Sequence, residues 1–234
     1  MYMNREQVDG VNDSLFGGSF GIVAAAHELK SPVALIRQLA LEIERSGVDT
    51  TQQELLAQIK LLSERSLRLT ASLTKAQHLR DLSLFPLEPV NPQQLCEEVA
   101  HELFPLYRAH ERTLRVRARR TPPLVIANRD LLRRILLQFG DNALHYTGSD
   151  AVTFSTWQRK GQVLVGLRDY GIQTSPGGYG HQNGAAGRPQ GSGIGLRLAE
   201  QFAEAMNGQL GRKRHARGMT FYITMQPSEQ LSLL

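Results

Sequence analysis

The chain has 234 residues, a formal net charge of +5 and 41% hydrophobic residues. That length suits one large domain or two ordinary ones, and that composition supplies a packed core and excludes a disordered chain. The single cysteine, Cys96, excludes an internal disulfide. No apolar run approaches the ~20 residues of a membrane span, and Met1 to Ser14 holds no apolar signal-peptide core, so the expectation is a cytoplasmic protein without a membrane segment.

Residues 1–13 are polar and are expected to be a flexible N-terminus. From Ala26 the apolar positions Ala26, Leu29, Val33, Ile36, Ala40 and Ile43 step by three and four, which predicts a helix with a heptad seam that Gly47 ends. Asp49, Thr50 and Thr51 offer N-caps for a second helix, whose seam reads Leu55, Ile59, Leu62, Ser66, Leu69, Leu73 and Ala76. A short link makes the two helices antiparallel neighbours. Leu41, Leu56, Leu61 and Leu67 lie off the seams, and a symmetric dimer forming a four-helix bundle would bury them.

Leu84-Phe85-Pro86-Leu87-Glu88-Pro89 breaks the pattern and predicts a linker over 83–89. Beyond it, helices are expected from Pro92 to about Ala109, over Arg129–Tyr146, and from about Ile194 to Met206. Strands are expected at Thr113–Arg119, Leu124–Ala127, Ala151–Gln158, Gln162–Arg168, Gln209–Arg214 and Met219–Met225, with a glycine-rich loop from Asp169 to Gly191. The fold class is therefore α+β, a helical hairpin followed by an α/β sandwich. Arginines between Arg108 and Arg134 and the cluster Arg212, Lys213, Arg214 and Arg217 carry much of the positive charge. With a single tryptophan and no zinc or RNA-binding spacing, nucleic acid is disfavoured as a partner.

Four short stretches carry reactive chemistry. In the first helix His27 stands beside Glu28, and Ser31 follows one helical turn later, ahead of Pro32. An imidazole is a nitrogen nucleophile near neutrality, and an adjacent carboxylate can hold its tautomer and take its second proton. Taken alone, such a pair is more often an ordinary surface feature. Downstream, Asp141-Asn142-Ala143 lies on a helix ahead of His145 and Tyr146, and the Asn142 amide oxygen is a hard ligand suited to Mg²⁺ held mainly by phosphates and water. Asp169-Tyr170-Gly171 comes off a strand, where a carboxylate can accept from an adenine amino group and the glycine lets backbone approach. Gly191-Ser192-Gly193-Ile194-Gly195-Leu196 opens a helix with exposed N–H groups that favour phosphate. Each of the three also reads as an ordinary helix face, turn or loop; their order and spacing together are the stronger signal.

With those residues in view, the chain resembles the catalytic core of a two-component sensor histidine kinase over roughly residues 14–226. His27 to Pro32 resembles the H box, Asp141 to Thr147 the N box, Asp169-Tyr170-Gly171 the start of the G1 box, and Gly191 to Leu196 the G2 box. Leu87 to Val90 resembles the usual entry to the ATPase domain.

The resemblance implies a dimerisation and histidine phosphotransfer domain at 14–82 and a Bergerat-fold ATP-binding domain of the GHKL type at 90–226, followed by a tail at 227–234. It implies His27 as phosphoacceptor, Glu28 as its base or orienter, and Ser31 as the water-orienting residue of members that also act as phosphatases. ATP would then lie among Asn142, His145, Tyr146, Asp169, Gly171, Gly191, Gly193, Gly195 and Leu196, with Mg²⁺ on Asn142. The implied partners are a response regulator receiver domain, a second copy of the chain through 14–82, and a separate sensor or regulatory protein. The implied activity is an ATP-dependent protein-histidine kinase; the alternative is a dimeric phosphotransfer or phosphatase partner with a degenerate ATPase domain. The chain departs from the family pattern at Gln138, where the first N-box asparagine stands, at His145, and at Gln173, where a second G1 glycine stands. A clear F box is also missing before Gly191.

Overall fold

The computed structural model describes residues 19–45, 47, 49–79, 81–146, 151–171 and 194–229. The chain divides into two units between residues 80 and 81. No helix among the described residues is long and apolar enough to cross a membrane.

The first unit is a pair of helices, α1 (Ser19–Arg45) and α2 (Thr50–His78). Gly47 takes φ +86° just after α1, a left-handed conformation that glycine adopts without a Cβ penalty. Asp49 then caps α2 through a reciprocal box: its carboxylate accepts from the Gln52 N–H at 2.8 Å, and the Gln52 side chain accepts from the Asp49 N–H at 3.2 Å. The ion pairs Arg37–Glu64 and Lys60–Glu44 run between the helices and fix an antiparallel register.

The apolar stripes fall differently from the expected seams. Ala40 is buried as predicted, but so is Leu56, which was placed off the seam for burial in a dimer, whereas Leu29, Ile36, Ile43, Leu55, Ile59 and Leu62 are exposed. Ser63 and Thr70 are also buried, their hydroxyls donating to the Ile59 and Ser66 carbonyls one turn back. Three-and-four stepping defines a stripe, not the surface that covers it. Adjacent positions such as Leu55 and Leu56 differ by about 100° around the helix, so either stripe can face the partner helix.

The second unit opens with a 3-10 turn at Leu82–Leu84 and strand β1 (Glu88–Val90). The stretch read as a linker is built into this unit: Phe85 is buried, and β1 pairs antiparallel with β3 (Val125–Ala127). Residues 227 and 228 join the same edge, Pro227 bridging to Val125 and the Ser228 N–H donating to the Leu124 carbonyl. Helix α3 (Pro92–Ala109) is capped by Asn91, whose side-chain oxygen accepts from the Gln93 and Gln94 N–H groups, with Pro92 at the first helical position.

Strand β2 (Thr113–Val116) is shorter than expected; helix α4 (Arg129–Tyr146) has the predicted bounds. Strands β4 (Ala151–Arg159) and β5 (Gln162–Asp169) meet at Lys160 and Gly161, both at positive φ, the backbone a tight hairpin requires. Helix α5 (Ile194–Glu204) and strands β6 (Gln209–Arg214) and β7 (Met219–Met225) complete the unit. The five-stranded sheet has the order β2-β4-β5-β7-β6, with β2 and β4 parallel and the other pairs antiparallel.

Along β4, Val152, Phe154 and Thr156 are buried while their neighbours are half-buried, the alternation of a sheet with helices on one face. Leu131, Leu132, Ile135, Leu136 and Phe139 of α4 fill the core, with Phe202 of α5 and Leu95, Leu103 and Tyr107 of α3. Gly140 of α4 has no room for a Cβ, which would sit 2.3 Å from Leu103 Cδ1, and its carbonyl accepts from the buried Tyr107 hydroxyl at 2.8 Å. The ion pairs Arg129–Glu98 and Arg133–Glu102 link α4 to α3 on the outside. The observed class is thus α+β, a helical unit followed by an α/β sandwich.

Candidate functional site

Helix α4 delivers Asp141 and Asn142, both buried, from its C-terminal half. Asn128 starts the helix by accepting from the Leu131 N–H, and Arg112 finishes it by donating to the Leu144 carbonyl at 2.5 Å, one of the carbonyls a helix end leaves without an internal partner. Anchored at both ends and packed on the sheet, α4 holds position 142 rigidly. Asn142 is only 6% exposed, and its Oδ1 accepts a hydrogen bond from Gln138 Nε2 at 2.9 Å.

Gln138 also meets the first turn of α5. A Cβ on Gly195 would lie 2.4 Å from Gln138 Nε2, so the glutamine amide occupies the space that any other residue at 195 would need. The two predicted stretches, Asn142 on one helix and Gly195 on another, are therefore joined through a residue not assigned a role from sequence. The signal was present as an i, i+4 spacing between Gln138 and Asn142.

Asp169 ends β5 and is 5% exposed. Its Oδ1 accepts from the Gly171 N–H at 2.6 Å, which folds the Asp169-Tyr170-Gly171 turn onto the carboxylate. The β6–β7 turn closes on the same point. Gly218 has φ +73°, and a Cβ there would lie 2.1 Å from the Asp169 carbonyl oxygen. Arg168 reinforces the contact by donating to the Arg217 carbonyl at 2.7 Å, while its guanidinium lies 5.1 Å from the Tyr170 ring centroid. Gly218 was not singled out from sequence; an Arg-Gly step before a strand marks a turn but not what the turn touches.

Among the described residues no cluster of three or more His, Cys, Asp or Glu side chains could hold a metal ion. The Asn142 amide oxygen is a hard donor of the kind Mg²⁺ accepts beside phosphate and water. Gly195 and Leu196 lie in the first turn of α5, Leu196 half-buried. His145 and Tyr146 lie in the last turn of α4, with side chains outside the described set, and Gly191, Gly193 and Gln173 lie outside the described residues. His27, Glu28 and Ser31 all lie on α1, and their side chains are likewise outside the described set.

The fold is shared with known proteins. The family described as histidine kinase-, DNA gyrase B-, and HSP90-like ATPase matches residues 127–229. Histidine protein kinase SaeS of Staphylococcus epidermidis is 25% identical over 199 residues, covering 79% of this chain and 56% of its own length. The chain thus spans little more than half of that relative. Among solved structures, full-length ShkA in complex with AMPPNP superposes with a TM-score of 0.60 at 20% identity, over 92% of this chain and 47% of that one. The Acinetobacter baumannii histidine kinase AdeS gives a TM-score of 0.53 at 15% identity, over 86% of this chain and 97% of that one. Residues 127–229 thus match the histidine kinase-, DNA gyrase B- and HSP90-like ATPase family, and the chain has the fold of a sensor histidine kinase catalytic core.

Proposed function

We propose that the protein is an ATP-dependent histidine kinase that phosphorylates its own His27 and passes the phosphoryl group to an aspartate on the receiver domain of a response regulator. The observation that carries this is the joining, through Gln138, of Asn142 and Gly195 in a domain of the ATPase family, within a chain whose α1 carries His27-Glu28. In the transfer, a ring nitrogen of His27 attacks the γ-phosphorus, a P–N bond forms, the β–γ bridging P–O bond breaks, and ADP leaves with the electron pair. Glu28 holds the ring with its attacking nitrogen unprotonated and takes the proton from the other nitrogen. Asp169 accepts from the adenine amino group, and Gly191, Gly193, Gly195 and Leu196 lie along the phosphates, with His145 and Tyr146 beside them. Mg²⁺, held by Asn142, would offset charge on the phosphate oxygens. Protein catalysis of this reaction is mainly positioning and charge stabilisation.

The exposure of Leu29, Ile36, Ile43, Leu55, Ile59 and Leu62 leaves apolar surface of the helical pair in water. It supports assembly of two copies through residues 14–82 into a four-helix bundle. Ser31, one turn beyond His27, is assigned to orienting a water against a regulator's phospho-aspartate. A cytoplasmic location and a separate sensor or regulatory protein complete the proposal.

Gln173 and the missing F box depart from the family pattern and favour one alternative, a phosphotransfer or phosphatase partner whose ATPase domain is degenerate. Calorimetric titration of the chain with a non-hydrolysable ATP analogue and Mg²⁺ separates the two. Saturable binding that Asp169→Asn weakens supports the kinase. Absence of binding by the wild-type chain supports the degenerate domain.

A further inference from the structure

We propose that Gln138 is a positioning residue of the nucleotide site, holding the Asn142 amide oxygen toward the first turn of α5 and tying that turn to α4; this deepens the nucleotide-binding function proposed above and rests on it. A side-chain amide has two ends of nearly equal shape, and only the oxygen can ligate a cation. At Asn142 the two amides set each other's orientation. Gln138 Nε2 donates to Asn142 Oδ1 at 2.9 Å, and turning over either amide alone would set two donors or two acceptors face to face. A carbonyl oxygen has two lone pairs, so accepting from Gln138 leaves one for a cation.

Gln138 Nε2 also faces α5. The amide nitrogen, carbon and oxygen of Gln138 would lie 2.4, 2.5 and 2.6 Å from a Cβ on Gly195. Hence the oxygen of Asn142 and the N-terminal turn of α5 have one neighbour in common. A helix N-terminus is where phosphate oxygens are held, so the glutamine registers the metal ligand against the phosphate cradle. The length of the side chain matters. An asparagine at 138 would be shorter by one methylene, about 1.5 Å, and could not keep both contacts without a shift of the helices. Gly195 then has a specific reason to be glycine besides backbone approach to phosphate: the space of its side chain is filled by Gln138.

The test is a cycle on the whole chain with Gln138→Ala, Gly195→Ala and the double variant, plus Gln138→Asn. The first readout needs no ligand: unfolding of the second unit followed through Trp157, the only tryptophan in the chain. Gly195→Ala should lower the midpoint in the presence of Gln138 and leave it nearly unchanged when position 138 is alanine, a non-additive pair. The second readout is ATP affinity with Mg²⁺ and with EDTA. Gln138→Ala and Gln138→Asn should each raise the Kd measured with Mg²⁺ by roughly tenfold or more, the range seen when a residue orienting a metal ligand is lost, and leave the Kd in EDTA essentially unchanged. Additive effects on unfolding, or tighter Mg²⁺-dependent binding in Gln138→Ala, would overturn the role, the latter by showing that the glutamine obstructs the site. A wild-type chain that binds no nucleotide would instead sink the proposed function, and this role with it.

Discussion

At Gly218 and Gly47 the same residue type is used for different reasons. Both have positive φ, but a Cβ at Gly47 meets nothing within 4 Å, whereas one at Gly218 would lie 2.1 Å from the Asp169 carbonyl oxygen. Gly47→Ala should therefore cost only the left-handed penalty of about 1–2 kcal/mol in the first unit. Gly218→Ala adds displacement of the β6–β7 turn from Asp169, so it should lower the urea midpoint of the second unit, followed by Trp157, and weaken nucleotide binding too. An unchanged midpoint and unchanged nucleotide affinity in Gly218→Ala would show that the turn does not support Asp169. Cys96 gives a pH signature. Burial, with a smaller effect from Glu97, pushes its thiol far above the ordinary range. The folded pKa lies above the unfolded one, so this contribution to stability is complete below the unfolded thiol value of about 8.5 and falls as pH rises beyond it. Urea midpoints for wild type should therefore fall more steeply above that pH than those of Cys96→Ala. Parallel profiles would contradict a buried neutral thiol.

Among the elements, the helical pair shows how far periodicity reaches. Both helices, their cap at Asp49 and their antiparallel pairing follow from local residues. Which stripe faces inward does not, because α1 and α2 each carry two adjacent apolar stripes and the choice belongs to tertiary packing. Leu56 turns in together with the small residues Ala40, Ser63 and Thr70, while Leu29, Ile36, Ile43, Leu55, Ile59 and Leu62 are left outside. Two variants separate these faces. Ile59→Glu with Leu62→Glu should give monomers in light scattering with helix content retained, since a charge buried without a partner in a bundle core is costly. Leu56→Ala should lower the hairpin's stability, about 2–5 kcal/mol for a buried leucine. Retained dimers in the first variant would show that the exposed stripe is not the assembly face. In the second unit the strands and helices were legible because the hydrophobic period changes between two and 3.6. Strand β1 was not, because Glu88-Pro89-Val90 is too short and too proline-rich to announce a pairing that only β3 supplies.

For the whole molecule, the order of the motifs carried more than any one of them. Asn142, Asp169 and Gly195, separate in the chain, fall within one sandwich. The i, i+4 spacing of Gln138 to Asn142 was legible, but its reach to Gly195 and the support of Asp169 by Gly218 were not, because those contacts join elements distant in sequence. The central claim is that the sandwich delivers a phosphoryl group to α1. The most direct measurement is incubation of the wild-type chain and His27→Ala with γ-labelled ATP and Mg²⁺, followed by acid and base treatment of the protein and a nucleotide-binding assay on both. The expected result is an acid-labile, base-stable label on wild type that His27→Ala lacks while it still binds ATP. Equal acid-labile label on His27→Ala, or an unlabelled wild-type chain that binds Mg-ATP tightly, would contradict the account.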